Sequence, residues 1–331
     1  MTLALGAEGG IRTPTGLRPL RPERSASTSF TTSASKNAAQ NIKRAFESQG
    51  LCRRELQNNF NLRNGLRMFS SNNKLKPGAT QFQANIFHCI LGATDLFLRL
   101  MFNVSQLEII RARIASACAR AGRHPKEVTL VGVSKTISSA EILAAYNSGV
   151  LCFGENRVQE AATKIPELQA LGVQAQWHLV GHLQTNKVKP ALEMFEVIQS
   201  VDRLQLAEAL QKRAEQNKRS VEIFAQINTS GESTKYGAAP HEAVSLAREL
   251  SAFSHLRLTG LMTIGALTRD THRLRQCFRT LRELVETIAA LHLPNVVMQH
   301  LSMGMTDDFE IAIEEGATHV RIGRALFGER Q

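Results

Sequence analysis

From Val104 onward, short apolar runs of strand length recur eight times and alternate with stretches of helical period, and no other property of the sequence restricts its fold so tightly. The runs occupy residues 128–135, 151–156, 176–183, 197–202, 221–229, 256–264, 296–302 and 319–326. Helical periods lie between them at 139–147, 204–216, 241–253 and 271–291, after an opening helix at 105–121 that places Ile109, Ile110, Ile114 and Ala117 on one face. In the longest, Leu274, Phe278, Leu281, Val285 and Ile288 form the apolar stripe of a helix lying against a sheet. The run Val128-Thr129-Leu130-Val131-Gly132-Val133 has no polar alternation, which predicts burial on both faces and a parallel sheet. Eight strand–helix units in one stretch fit a closed (β/α)8 barrel better than an open sheet. No GxGxxG follows the first run, which argues against a dinucleotide-binding sheet.

Composition matters chiefly because it divides the chain. The 331 residues carry a formal charge of +11, which invites a nucleic-acid reading. Residues 1–103, however, hold 14 Lys and Arg against 5 Asp and Glu, whereas residues 104–331 hold 26 against 24. The basic excess thus belongs to the first third, which is rich in Ser, Thr, Asn and Arg and lacks sustained periodicity. It is expected to be a largely disordered extension, or an over-extended gene start, and no nucleic-acid partner is expected. Its acid-poor character resembles a mitochondrial presequence, but Glu8 and Glu23 come early, so a cytoplasmic location is the expectation. The apolar run at 84–102 carries His88, Asp95 and Arg99, which argues against a membrane span. Five scattered cysteines form neither a CxxC pair nor an even set, so no disulfide framework or zinc site is expected.

A barrel places its chemistry at the C-terminal ends of its strands. Those positions here are Lys135, Asn156, His178 and His182, Asp202, Asn228, Met262, Ser302 and Arg321. Lys135 ends the apolar run VTLVGVSK, where a disfavoured ammonium deprotonates more readily and becomes a nucleophile toward an aldehyde. A lysine that snorkels to the mouth, or one that binds an anion, would fit the same position. After the seventh and eighth runs, Ser302, Gly304 and Gly323 sit where barrels bind phosphate through loop amides, although such glycines also serve merely to make tight turns. A nucleophilic lysine facing a phosphate cradle suggests a phosphorylated aldehyde, and pyridoxal 5'-phosphate (PLP) answers that description.

The segments VGVSKT, FGENRVQEA, WHLVGHLQTNK, INTSGESTKYG, GLMTIG, HLSMGMTDDFEIAIEEGAT and VRIGRALFGER, in this order and spacing, closely resemble the pyridoxal phosphate homeostasis protein family, whose members are small single-domain relatives of the alanine racemase barrel. The resemblance covers residues 104–331 and leaves the first hundred out. It implies a single TIM-type barrel of the alanine racemase N-terminal type that holds PLP as a Schiff base on Lys135, with Asn156 beside the cofactor. Ser302, Gly304 and Gly323 would hold the phosphate and Arg321 would face the pyridine nitrogen; Met262 is counted with these as cofactor-binding. The implied role is intracellular PLP storage or delivery by a monomer, with apo PLP-dependent enzymes as recipients and no catalytic residue of its own.

A guanidinium at the ring nitrogen donates a hydrogen bond without protonating it, which weakens the cofactor as an electron sink. Racemases on this barrel add a tyrosine base from a second domain. The chain ends at Gln331, directly after the eighth unit, so no such domain is expected. Its tyrosines are Tyr146, on a helix, and Tyr236, in the loop after the fifth run, and Tyr236 is expected to be structural or solvent-facing. Lys187, Lys189 and Lys235 are read as anion-attracting or solvated. Arg324 stands where a small hydroxyl residue is expected; its side chain would either add charge to a phosphate or point outward. His178 and His182 share a strand face by the period of two, as core or mouth histidines and not as metal ligands. The alternatives are a PLP-dependent racemase-like enzyme and a cofactor-free Schiff-base aldolase, the latter lacking a recognisable acid/base pair near Lys135.

Overall fold

The computed structural model describes residues 102–328. The expectations for the basic extension, and for the apolar run as far as residue 101, lie outside the described residues. Phe102 is buried, its ring 5.9 Å from that of Phe327. The Asn103 side chain accepts from the Gln106 amide at 3.2 Å and so caps the first helix, α1 (Val104–Arg120). Both residues therefore belong to the folded unit, ahead of the boundary expected from composition.

Strands β1 (Thr129–Val133), β2 (Cys152–Glu155), β3 (Gln176–Leu179), β4 (Val197–Val201), β5 (Val221–Gln226), β6 (Leu256–Met262), β7 (Val296–Ser302) and β8 (His319–Ile322) form one closed barrel in sequence order. Neighbouring strands are parallel, and β8 returns to β1 with Thr129 opposite His319 and Gly132 opposite Ile322. The expected parallel (β/α)8 barrel is thus the observed fold. Outside the strands lie α2 (Ser139–Asn147), α3 (Val158–Ala170), α4 (Val188–Met194), α5 (Leu204–Gln216), α6 (Ala243–Ser251), α7 (Thr271–Ala289), α8 (Phe309–Glu314) and α9 (Arg324–Phe327). Local chemistry starts several of them: Ser138 and Glu141 form a capping box on α2, and Asp270 accepts from the His272 amide at 2.9 Å to start α7. Among the described residues no helix is long and apolar enough to cross a membrane.

Several strands stop earlier than the apolar runs do, because the chain bends into mouth loops that continue the apolar composition. The eighth run also ends early: residues 324–326, expected as strand, fall in the helix Arg324–Phe327. In α1 the face turned to the barrel is Leu107, Ile110, Ile114, Ala117 and Cys118, and Ile109, expected inside, is 49% exposed. The α7 stripe holds, with Leu274, Phe278, Leu281 and Ile288 buried and Val285 half-buried.

A large apolar core lies between strands and helices, and a smaller one, Val197, Phe224 and Met262, fills the barrel interior. Three histidines pack with the inner one. His178 and His319 lie edge-on to Phe224 at 6.4 and 5.6 Å, and His300 contacts both Phe224 and His319 at 5.5 and 4.9 Å. At the mouth, a Cβ on Gly181 would come within 2.2 Å of the Asn156 carbonyl oxygen, so only glycine lets the loop after β3 lie against the loop after β2. His182 sits beyond this contact, in the loop, and so does not share a strand face with His178.

Candidate functional site at the barrel mouth

Lys135 follows β1 by two residues and is half-buried. The backbone on both sides of it is clamped from α3. On the near side, the Lys164 Nζ donates to the Ser134 carbonyl at 2.8 Å; on the far side, the Thr136 amide donates to Glu160 Oε1 at 2.5 Å. Lys164 also pairs with Glu160 at 2.6 Å and with the buried Glu155 at 3.3 Å, while the Ser134 hydroxyl donates to Glu155 Oε1 at 2.7 Å. Burial pushes the Glu155 carboxyl above its ordinary range, against the pull of Lys164. At Glu160 burial also pushes upward, but hydrogen bonds from Lys164 and the Thr136 amide outweigh it and hold that carboxyl low. Thr136 itself has φ +63°, a conformation unfavourable for a β-branched residue, which this clamp sustains.

Arg321 lies on β8, the strand beside β1, opposite Val131 in the register, and is almost wholly buried. Its Nη1 donates to Ser302 Oγ at 2.7 Å and its Nη2 to the Thr263 carbonyl at 2.7 Å. Burial lowers its pKa to about 10, opposed by the nearby Asp308, so it remains a cation at neutral pH. Burial conversely raises the Asp308 carboxyl, which accepts from the Met305 amide at 2.5 Å. The Arg321 amide donates to the Gly304 carbonyl at 3.0 Å. Gly304 has φ +91°, and a Cβ there would stand 2.6 Å from Ala312 Cβ, so this turn requires glycine twice over. Gly323 approaches the end of β1: a Cβ on it would lie 3.4 Å from the Val133 carbonyl oxygen.

Of the residues singled out from sequence, Arg321, Ser302 and Gly304 are in direct contact, Gly323 approaches Val133 at the end of β1, two residues before Lys135, and half-buried Asn156 lies against Gly181. Met262 is fully buried in the inner core, opposite Ser302 in the β6–β7 register. The Ser302 side chain, expected to meet a phosphate, is committed elsewhere: fully buried, it donates to Gln199 Oε1 at 2.6 Å and accepts from Arg321. Arg324 points outward to Asp307 at 2.6 Å. Lys235, read as anion-attracting or solvated, is held by the Glu232 carboxylate at 2.9 Å and the Gly265 carbonyl at 2.6 Å, which ties the loops after β5 and β6 together. Tyr236 is 58% exposed but stacks on His182, with ring centroids 4.1 Å apart, and His182 Nδ1 lies 3.6 Å from Asp202 Oδ2. Among the described residues no group of three or more His, Cys, Asp or Glu could hold a metal ion.

Sequence reasoning passed over Gln199, Thr263, Asp308, Glu155, Glu160 and Lys164. Only Gln199 carried a legible signal, as the amide inside the apolar strand VIQSV. A buried polar group in such a run must have a partner, and the partner here comes from strands far away in sequence.

The profile described as "Alanine racemase, N-terminal domain" matches residues 106–331. The pyridoxal phosphate homeostasis protein of Haemophilus influenzae is 41% identical over 224 residues, covering 68% of this chain and 94% of that protein. The protein of the same name from Aquifex aeolicus is 42% identical, covering 68% and 97%. Among solved structures, PipY of Synechococcus elongatus PCC7942 with PLP bound is 36% identical with a TM-score of 0.57, covering 65% of this chain and all of that one. An alanine racemase of Clostridium difficile, at 15% identity and a TM-score of 0.54, shares the fold. The chain therefore belongs to the pyridoxal phosphate homeostasis protein family, built on the alanine racemase N-terminal barrel.

Proposed function

We propose that this protein binds pyridoxal 5'-phosphate covalently through Lys135, as a Schiff base, and stores it or delivers it to apo PLP-dependent enzymes without turnover of its own. The observation that carries the reading is a clamped lysine after β1 together with a buried cation on the neighbouring strand β8 at one barrel mouth, in a chain 36% identical to a PipY structure that has PLP bound. The donor set fits the group: a primary amine for the aldehyde, a guanidinium with N–H groups beyond those given to Ser302 and Thr263, and the glycines of the loops after β7 and β8 for a phosphate. When bound, PLP supplies a carbonyl that condenses reversibly with primary amines.

The protein's own residues account for holding over turnover. Lys135 Nζ is the bonding atom, and the α3 clamp fixes the backbone that presents it. Asn156 would orient the cofactor beside it, Met262 belongs to the apolar packing beneath, and Gly304 and Gly323 would offer backbone to the anion. Arg321, a cation that does not give up its proton at neutral pH, would donate a hydrogen bond at the ring nitrogen without protonating it, and so would not promote carbanion chemistry. A location in the cytoplasm and a monomeric state complete the reading.

The competing reading, amino-acid racemisation, draws on Tyr236 stacked over His182 at the mouth. One experiment addresses both. The visible spectrum of the purified protein should show a bound chromophore that borohydride reduces and fixes on the peptide containing Lys135. Amino acids added to the same preparation should not be racemised at enzymatic rates. Label on another lysine would refute the attachment site, and turnover at roughly 1 per second that vanishes in Lys135→Ala would favour the racemase reading.

A further inference from the structure

Inside the barrel, beneath the mouth, one line of hydrogen bonds joins residues from four strands. Arg321 Nη1 on β8 donates to Ser302 Oγ on β7 at 2.7 Å, and Ser302 Oγ donates to Gln199 Oε1 on β4 at 2.6 Å. Gln199 Nε2 meets His178 Nδ1 on β3 at 2.6 Å. All four side chains are buried, Ser302 and Gln199 completely.

The direction of this line follows from donor chemistry alone. A guanidinium only donates, so the Ser302 oxygen accepts from Arg321 and its own proton must go elsewhere. Gln199 Oε1 takes that proton, which turns the amide nitrogen toward His178. His178 Nδ1 must then accept, and the imidazole proton sits on Nε2. The opposite imidazole tautomer would turn the Gln199 amide over, present N–H groups to Ser302 from both sides, and leave the serine proton without an acceptor. One tautomer of one histidine thus decides whether the guanidinium keeps its serine. Burial, with a smaller contribution from His300, lowers the His178 pKa to about 4, so the ring is neutral at neutral pH and the Gln199 amide facing Nδ1 leaves that nitrogen the acceptor. The far end is held by apolar packing: His178 Nε2 is buried without a hydrogen-bond partner, and its ring stands edge-on to Phe224 and beside His319.

We propose that His178 and Gln199 are positioning residues for Arg321, holding its guanidinium, through Ser302, in the orientation that meets the cofactor's ring nitrogen. The proposal rests on the reading of Arg321 given under Proposed function. Neither residue reaches the mouth: both act through Ser302, from strands opposite β8 in the barrel.

The test uses the full chain, without and with pyridoxal 5'-phosphate. In the apoprotein, 15N NMR of the His178 imidazole should show the Nε2–H tautomer at neutral pH; the Nδ1–H tautomer, or a doubly protonated ring, overturns the proposal directly. In the loaded protein, Gln199→Leu and His178→Leu should retain PLP about tenfold less tightly, the loss of a hydrogen bond supporting a charged group, and shift the visible band. His178→Asn, which offers an oxygen near the position of Nδ1, should restore both. Melting of the apo variants separates positioning from folding, because a purely structural role would lower stability without moving the band of the protein that remains folded, and that result overturns the proposal. Arg321→Met is the separate control. If it leaves retention and spectrum unchanged, the reading of Arg321 fails; if it alters them while Gln199→Leu and His178→Leu do not, the positioning proposal fails and that reading stands.

Discussion

Two kinds of residue meet at Lys135, and they should separate on mutation. Lys135 itself is half-buried at the mouth, so Lys135→Ala should remove reducible attachment while leaving the urea midpoint almost unchanged. Glu160 holds the Thr136 amide and the Lys164 ammonium at once. Glu160→Ala leaves both without that acceptor and should cost about 1–3 kcal/mol in urea unfolding, with weaker PLP retention as the turn loosens. Equal destabilisation by the two substitutions would show that Lys135 is part of the scaffold. The difference also marks what can be read from sequence. Lys135 and Arg321 stand out because they lie at the ends of strand runs, and Gly304 and Gly323 because they follow the seventh and eighth; the resemblance to a family adds their roles. Glu155, Glu160 and Lys164 look like ordinary polar residues of a strand end and an amphipathic helix, since their significance arises only where α3 folds back over β1.

At the scale of elements, the order of strands and helices was legible because each apolar run is punctuated by a helical period, and the barrel follows from their number. Strand ends were less legible. Residues 180–183 and Ile227 continue the apolar runs of β3 and β5 past the strand ends, and composition does not record where a ladder of hydrogen bonds stops. The loop after β7 shows the constraint that does end a strand there. At Gly304, φ is +91° and an added methyl would meet Ala312 Cβ at 2.6 Å and Phe309 Cα at 2.8 Å. Gly304→Ala should therefore cost about 3 kcal/mol, combining conformational strain with overpacking. Gly122 separates the two contributions: its φ is +65°, with nothing within 4 Å of an added methyl. Gly122→Ala should thus lose only about 1 kcal/mol. Thermal or urea unfolding of the pair measures the difference, and equal losses would mean that the turn after β7 yields to the added methyl.

For the whole molecule, the histidine-lined interior sets how the barrel meets acid. His178 ordinarily titrates at 6.5, and burial, with a smaller contribution from His300, lowers it to about 4. His319 is pushed well below its ordinary value by burial and by its histidine and arginine neighbours, and His300 is pushed down by burial against the pull of Glu222. Each of these groups is neutral in the folded barrel and free to protonate in the unfolded chain. As pH falls through 6.5 the unfolded state takes up protons that the folded state refuses, so stability is intact above that value and declines below it. The loss from His178 levels off near pH 4, at roughly 3 kcal/mol by the energy of its shift; the other two act in the same direction. The carboxylates of α8, Glu310 paired with Arg113 and Glu314 paired with Arg275 and Arg120, are held low and lose their contribution only at more acidic pH, below the ordinary carboxylate value of 4.5. Acid sensitivity should therefore begin in the interior and not at the surface ion pairs. Urea midpoints should be level from about pH 8 to 7 and fall steadily from about 6.5 to 4.5. His178→Asn should reduce that slope by removing one of the titrating groups, whereas Glu310→Gln should leave it unchanged. Glu155 and Asp308, whose carboxyls burial raises, are protonated first in the folded state and oppose the fall, so the deciding comparison is between slopes: a slope unchanged in His178→Asn would contradict the burial of a neutral imidazole at His178, and with it the tautomer on which the orientation of Arg321 depends.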